Sequence, residues 1–268
     1  MKKLLLLSAL LIFACSGDDS SNDNNNNDDN NNDNIELLNC DGNPVPTIVY
    51  GTQEWTVENA CHITYRYGTP IPQVINTDEW GSLTTGAWCY YDNDPTKGIL
   101  YNWYAVAGIH DAASLTDPSL RKEFAPIGWH VPSDEEWITL KEHLIANGYN
   151  YDGTTTENKI GKAMASTTGW ALYDGIDGAV GNNLSLNNSS GFNAYPSGSI
   201  DVQNIFAGYG LQAGFWTSTK IPLGYQGVYL QTNSFYYTLS QYNTDLKNSW
   251  NTFGSYWEVG HSVRLVRD

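Results

Sequence analysis

The chain has 268 residues, and its 29 aspartates and glutamates outnumber its 13 lysines and arginines, which gives a formal net charge of -16 at pH 7. A surface that binds nucleic acid must neutralise phosphates with lysine and arginine, so this balance argues against a nucleic acid partner. After the first residues, no apolar stretch reaches the roughly 20 residues that span a bilayer, so we expect any membrane contact to come from a lipid.

Residues 1–14 have the anatomy of a lipoprotein signal peptide. Lys2 and Lys3 precede an apolar run at 4–13 that is too short to cross a bilayer. The run ends in Ile12-Phe13-Ala14-Cys15, which resembles the bacterial lipobox and predicts a lipid on Cys15. The alternative is an ordinary secretory signal followed by a chance cysteine.

Residues 15–34 are rich in aspartate and asparagine and cannot bury enough apolar surface to offset the entropy of ordering. We therefore expect a disordered, solvated tether. Its first residues, Cys-Ser-Gly-Asp-Asp, resemble the acidic surface-export signal of Bacteroidetes lipoproteins. The resemblance implies an outer-membrane location with the protein exposed on the cell surface.

Residues 35–268 form one compositional block whose length suits a single large domain. Short runs bounded by turn residues predict strands at 47–50, 54–57, 227–230, 235–239 and 261–267. We expect the last strand to pair in the same sheet as the first ones.

Three cysteines, Cys40, Cys61 and Cys89, remain if Cys15 carries the lipid. A chain exported through an oxidising compartment can form one disulfide from three cysteines and keep one thiol. The sequence does not assign the pair, and Cys61 with Cys89 is our working hypothesis. The three lie outside Cys-x-x-Cys and Cys/His patterns, so no zinc site is predicted.

The stretch GWHVPSDEEWITLKEHL (128–144) predicts the clearest helix, over 134–146. Ser133 and Glu136 form a Ser-x-x-Glu capping box, and Trp137, Leu140 and Leu144 recur at helical spacing. A second helix is predicted at 155–166. Two helices and many short antiparallel strands indicate a loop-rich α+β fold.

Seven ordered blocks resemble the Fibrobacter succinogenes major paralogous domain family, found in surface and secreted proteins of Bacteroidetes and Fibrobacteres. They are TIVYGTQEWTVENA (47–60), GTPIP (68–72), GAWCYYDNDPTKGILYNWYAV (86–106), APIGWHVPSDEEW (125–137), SGFNAYPSG (190–198), GFWTST (214–219) and HSVRLVRD (261–268). The family often has cysteines where this chain has Ala125 and Leu265, which suggests that apolar packing replaces a bridge here.

The same blocks look distantly like the formylglycine-generating enzyme superfamily, which implies a C-type-lectin-like fold. The catalytic cysteines of that superfamily have no counterpart here, since residues 192–268 contain no cysteine. Histidines offer candidate acid/base pairs, His130 with Glu135 or Glu136 and His261 with Glu258. Hydrolase, zinc-protease and P-loop motifs are absent, so we expect a non-catalytic protein and structural histidines.

Tyrosine and tryptophan offer flat apolar faces with polar edges, which suit stacking on sugar rings. The candidate ligand-binding residues, chosen by type and loop position, are Trp88, Tyr91, Asp92, Asn93, Trp250, Tyr256 and Trp257. The alternative is that these rings fill the core of a fold with little regular structure. No cofactor is predicted apart from calcium, for which Asp92 and Asp94 are weak candidates, because the same residues are typical of a turn before Pro95.

The sequence thus favours a surface-exposed lipoprotein that binds a glycan or polysaccharide without catalysis. The alternative partner is a surface protein, with the chain acting as an adhesin or structural component. Nothing in the sequence separates these two functions.

Overall fold

Short strands and one long helix make up the structure, a computed structural model that describes residues 37–201, 203–222, 233–249 and 255–268. The helices are α1 (Thr77–Trp80), α2 (Trp103–Val106), α3 (Ala112–Thr116), α4 (Asp134–Ala146) and α5 (Gly161–Met164). The strands are β1 (Thr47–Tyr50), β2 (Gln53–Thr56), β3 (Trp88–Tyr90), β4 (Ile99–Tyr101), β5 (Trp129–His130), β6 (Ser197–Ile200), β7 (Phe206–Tyr209), β8 (Gln212–Lys220), β9 (Asn233–Ser240), β10 (Lys247–Asn248), β11 (Ser255–Tyr256) and β12 (Val266–Arg267).

Two sheets and a hairpin organise these strands. The first sheet has the order β1-β2-β12-β5, and the second has the order β10-β9-β8-β6-β7 with β11 on β9, while β3 pairs with β4. In the first sheet Val266 pairs with both Trp55 and His130, so the two ends of the domain meet in one sheet as predicted. The pairing of β6 with β8 is parallel and the other strand pairs are antiparallel. The predicted loop-rich α+β class is confirmed.

Several predicted elements differ in extent from those observed. The part of the chain that the structure describes has five helices instead of two, because four helices of 4 or 5 residues lie in what the sequence presents as loops. The predicted strand at 261–267 is reduced to β12, since His261 and Ser262 form only isolated bridges to Tyr101 and Phe215. The predicted strand at 227–230 lies outside the described residues.

The predicted helix at 155–166 is wrong except for its last turn, α5. The side chain of buried Asn150 organises the preceding segment instead. Its amide nitrogen donates to the carbonyls of Thr154 and Thr156 at 2.9 and 3.0 Å, and its oxygen accepts from the Lys159 amide at 2.9 Å. Glu157 adopts a positive φ of 63°, which interrupts a helix. These loop hydrogen bonds outweigh the helical propensity of the stretch.

Helix α4 is confirmed with the predicted bounds and capping box. Trp137, Leu140 and Leu144 are fully buried on its inner face. The Trp137 ring stacks on Tyr237 with centroids 4.9 Å apart and meets Trp55 edge-on at 4.8 Å. Because burying a leucine side chain contributes about 1.5–3 kcal/mol, this face anchors the helix to both sheets.

The disulfide joins Cys40 to Cys61, with Cα atoms 5.5 Å apart, and so corrects the Cys61–Cys89 hypothesis. Cys89 lies on β3 with its side chain buried in a cluster that includes Trp80 and Leu100. Burial raises the pKa of the Cys89 thiol to about 12. Cys89 therefore lies in the core as a free thiol, and Cys61 pairs with Cys40 instead.

Residues Ile35–Asp268 form one compact unit. Ala125 and Leu265, where relatives often carry cysteine, are both buried in one hydrophobic cluster, consistent with apolar packing in place of a bridge. No helix within the described ranges is long and apolar enough to cross a membrane.

Candidate functional site

The tryptophans predicted to bind ligand belong to the core. Trp88 donates its indole N–H to the Ile71 carbonyl at 2.9 Å, and Trp257 donates to the Ser234 hydroxyl at 2.9 Å and stacks on Trp103 with centroids 4.6 Å apart. All nine tryptophans in the described part of the chain are buried, and Trp250 lies outside it. Their ring faces are covered by protein, which corrects the assignment of Trp88 and Trp257 to a ligand surface.

The predicted tyrosines divide between core and surface. Tyr91 is buried, and its ring contacts those of Phe206 and Tyr209 with centroids 5.2 and 5.0 Å away. Tyr256 is 42% exposed and lines a small cavity of about 240 Å³ together with Glu258. Tyr91 is therefore corrected to a packing residue, and Tyr256 is the predicted tyrosine that stays partly exposed.

The predicted calcium candidates contact a lysine. The Lys97 ammonium lies 3.3 Å from Asp92 Oδ2 and 3.9 Å from Asp94 Oδ2. Asp94 also accepts hydrogen bonds from the Thr96 amide and hydroxyl at 3.0 and 2.7 Å, which lower the pKa of its carboxyl, and Asn93 donates to the Ile75 carbonyl. The carboxylates thus form a turn closed by a cation of the chain itself. Among the described residues, no group of three or more His, Cys, Asp or Glu side chains is placed to hold a metal ion.

Beside this turn lies a groove of about 550 Å³, which we call the Lys97 groove. The residues that define it are Glu58, Asn59, Lys97, Asn193, Tyr195 and Ser197. They come from the segment after β2, the turn before β4, and the segment that leads into β6 together with the first residue of that strand. Both cysteines of the Cys40–Cys61 disulfide also line it. Its volume falls within the range of small-molecule sites.

Buried Arg264, from the SVR sequence near the C-terminus, holds two walls of the Lys97 groove together. Its guanidinium donates to Asn59 Oδ1 at 2.7 Å and to the carbonyls of Thr56, Phe192 and Asn193 at 2.8, 3.0 and 3.1 Å. Burial lowers the pKa of Arg264 to about 9, which leaves it charged at neutral pH. Because all four bonds end on the groove walls or next to them, Arg264 positions the groove and keeps it rigid.

Tyrosine supplies the aromatic surface of the Lys97 groove. The Tyr195 side chain is 37% exposed, and its hydroxyl lies 3.2 Å from the Tyr209 hydroxyl. This hydrogen bond is the main cause of a rise in the pKa of Tyr209 to about 12. The Lys97 ammonium lies over the Tyr209 ring, 5.4 Å from its centroid. The groove thus combines an aromatic ring with amide, carboxylate and ammonium groups.

Sequence reasoning missed Tyr195, Asn193 and Lys97, although all three stand in family blocks. Lys97 follows the aspartates of the predicted turn. Its position five residues after Asp92 was the signal that could have pointed to the pairing of these two side chains. Residue type alone favoured tryptophan over tyrosine, and it carries no information on burial.

Of the two candidate histidines, His130 forms its carboxylate pair and takes part in the fold. His130 contacts Glu136 Oε1 through Nε2 at 2.7 Å and Asp268 Oδ1 through Nδ1 at 2.8 Å, so both ring nitrogens are occupied. His261 is fully buried, which lowers its pKa to about 3, and Glu258 accepts from the Tyr104 hydroxyl instead. The candidate acid/base pair of His261 with Glu258 therefore does not form.

Comparison with known proteins gives one finding. The Fibrobacter succinogenes major domain matches residues 48–267. No curated protein and no solved structure matches the chain, so the expected C-type-lectin-like fold stays a prediction. The matched range contains Asn59, Lys97, Asn193, Tyr195 and Arg264 and nearly the whole sheet structure described above. The chain belongs to the Fibrobacter succinogenes major domain family.

Proposed function

We propose that the protein is a lipid-anchored, surface-exposed, non-catalytic module that binds a neutral glycan in the Lys97 groove. The observation that carries the proposal is the partly exposed ring of Tyr195 beside the hydrogen-bonding groups of Asn59, Asn193 and Glu58. A sugar ring has an apolar C–H face that stacks on an aromatic ring and hydroxyl edges that need donors and acceptors.

Rigidity of the groove supports this function. Arg264 joins the walls through four hydrogen bonds, and Asn59 donates to the Ser197 hydroxyl at 3.3 Å. A site that already has its bound conformation loses little conformational entropy on binding. This favours the binding of a ligand that forms only a few contacts.

Charge favours a neutral saccharide. The chain carries a formal net charge of -16, and Asp41 and Glu58 add carboxylates to the groove. Lys97 and Arg264 are the cations among the residues that line the groove. Lys97 is already paired with Asp92, and Arg264 is held by four hydrogen bonds within the protein. A polyanionic glycan would be repelled by this surface.

The test is a glycan array and a polysaccharide pulldown with the purified full-length protein in detergent. We expect binding to at least one neutral glycan and a loss of about tenfold or more in Tyr195→Ala, the cost of truncating a central binding residue. Tyr67→Ala is the matched control, because Tyr67 is 83% exposed and does not line the groove. Absence of binding to every glycan would contradict the proposal and favour a protein partner.

A further inference from the structure

A second cavity lies apart from the Lys97 groove and shares none of its lining residues. It has a volume of about 370 Å³ and lies between the segments 157–159 and 242–245, with Ile176 at its edge. We call it the Tyr242 pocket, after the tyrosine that lines it, and its other lining residues include Glu157, Lys159 and Asp245.

The Tyr242 pocket has an aromatic and aliphatic surface open to solvent. The Tyr242 side chain is 48% exposed, and Ile176 is 45% exposed. The Tyr173 ring meets the Tyr242 ring edge-on, at 84° with centroids 5.0 Å apart, which holds the orientation of the Tyr242 ring. An exposed ring held in place by a neighbour can receive a flat apolar ligand face without a large entropy cost.

Hydrogen bonds fix both walls of the Tyr242 pocket. The Asn158 side chain donates to the Leu246 carbonyl at 2.7 Å and accepts from the Leu246 amide at 3.2 Å, which ties one segment to the other. The Val180 amide donates to the Asn243 carbonyl at 3.0 Å. The pocket is therefore built into the fold.

Both positively and negatively charged side chains line the Tyr242 pocket. The Lys159 ammonium contacts Glu157 Oε2 at 2.7 Å and Asp152 Oδ2 at 2.9 Å, so its charge is balanced within the protein. None of the described residues donates a hydrogen bond to the Asp245 carboxylate, which leaves an acceptor for ligand hydroxyls. A ring face, a carboxylate to which none of the described residues donates, and a neutralised ammonium suit a neutral polyhydroxylated ligand better than an anion.

We infer that the Tyr242 pocket is a second saccharide site, so that one molecule holds two segments of polysaccharide at once. This inference rests on the proposed glycan-binding function. Two linked sites raise the affinity for a long chain far above that for a short fragment, by about 10²–10⁴-fold where both can engage together. A two-site module on a cell surface would retain polysaccharide while short oligosaccharides exchange freely.

The experiment is isothermal titration calorimetry of the full-length protein in detergent with neutral gluco-, manno-, galacto- and xylo-tetrasaccharides and with the parent polysaccharides. We expect two binding events: the affinity of one falls about tenfold or more in Tyr242→Ala and is unchanged in Tyr195→Ala, and the other has the reverse dependence. The double variant should lose both binding events, and Tyr67→Ala should lose neither. Asp245→Asn, which keeps the side-chain shape, provides a second probe of the pocket if Tyr242→Ala unfolds.

The outcomes separate the two proposals. Binding that depends on Tyr195 and is unchanged in Tyr242→Ala and Asp245→Asn overturns the second site and leaves the proposed function standing. Binding that depends on Tyr242 alone supports the pocket and overturns the groove assignment. Absence of any saccharide binding overturns both.

Discussion

His130 and Asp268 connect the start of the long helix to the end of the chain's last strand. His130 Nδ1 lies 2.8 Å from Asp268 Oδ1, and the Asp268 amide donates to the Gly128 carbonyl at 3.0 Å. Glu136, in the first turn of α4, contacts the other ring nitrogen at 2.7 Å. An imidazole between two carboxylates is most stable when both nitrogens carry protons, so this contact is an ion pair with a pH dependence.

Stability should fall as pH rises through the titration of His130. Partial burial lowers the pKa of His130, but hydrogen bonds to Glu136 and Asp268 outweigh it, and the folded-state pKa lies above the ordinary value of 6.5. The contribution is therefore fully present below pH 6.5 and is lost as pH rises through the raised folded-state pKa. We expect the difference in unfolding free energy between the wild type and His130→Gln to shrink over this range.

Urea unfolding of both proteins from about pH 5.5 to pH 9 measures this difference across the titration of the histidine. Asp268→Asn should reproduce part of the effect, because it removes one of the two carboxylates. A difference that stays constant or grows with pH would contradict the ion pair.

Arg264→Lys should destabilise the fold by about 3 kcal/mol, since lysine cannot satisfy four oxygens fixed around a planar guanidinium. The matched control is Arg267→Lys: Arg267 is 47% exposed and pairs with Glu54, so its replacement should cost less than about 1 kcal/mol. Chemical denaturation compares the two variants. Equal losses would show that the buried hydrogen bonds of Arg264 do not hold the groove walls together.

Peptide mapping of the non-reduced protein should recover a fragment that links Cys40 to Cys61, with Cys89 as the free thiol. Cys89 should resist alkylation until the protein is denatured, because its thiol is buried and its pKa is about 12. Cys40→Ser should cost about 3 kcal/mol from the lost loop constraint over a sequence separation of 21. A fragment that links Cys61 to Cys89 would contradict the structure.

Metabolic labelling with a fatty acid tests the lipid anchor predicted at Cys15. We expect label in the wild type and none in Cys15→Ala, because the thiol is the acceptor of the lipid. Surface proteolysis of intact cells should then cleave the wild-type protein if residues 15–34 hold the domain outside the cell. Label retained in Cys15→Ala would contradict the lipobox assignment.

Sequence patterns predicted an element correctly where the residues that stabilise it lie within the same short stretch. The capping box and apolar spacing of α4 lie within one stretch, and its bounds are as predicted. The segment before α5 departs from its pattern because Asn150, outside the predicted helix, supplies hydrogen bonds that no periodicity records.

Burial of the aromatic residues depends on distant parts of the chain. Trp257 is covered because it stacks on Trp103, more than a hundred positions away, and the sequence holds no sign of that contact. The cysteine pairing also depends on distant parts of the chain, since Cys89 on β3 is buried against residues such as Ile200. The abundance of aromatic residues predicted a ligand surface made of aromatic rings. In the tertiary structure the described tryptophans are in the core, and Tyr195 is partly exposed.

The most direct test of glycan binding in the Lys97 groove is a crystal structure of the protein with the neutral saccharide that binds best. We expect a sugar ring stacked on Tyr195 in the Lys97 groove, with hydroxyls within hydrogen-bonding distance of Asn59 or Asn193. A sugar bound outside both the groove and the Tyr242 pocket, or a groove that stays empty at saturating saccharide, would contradict it.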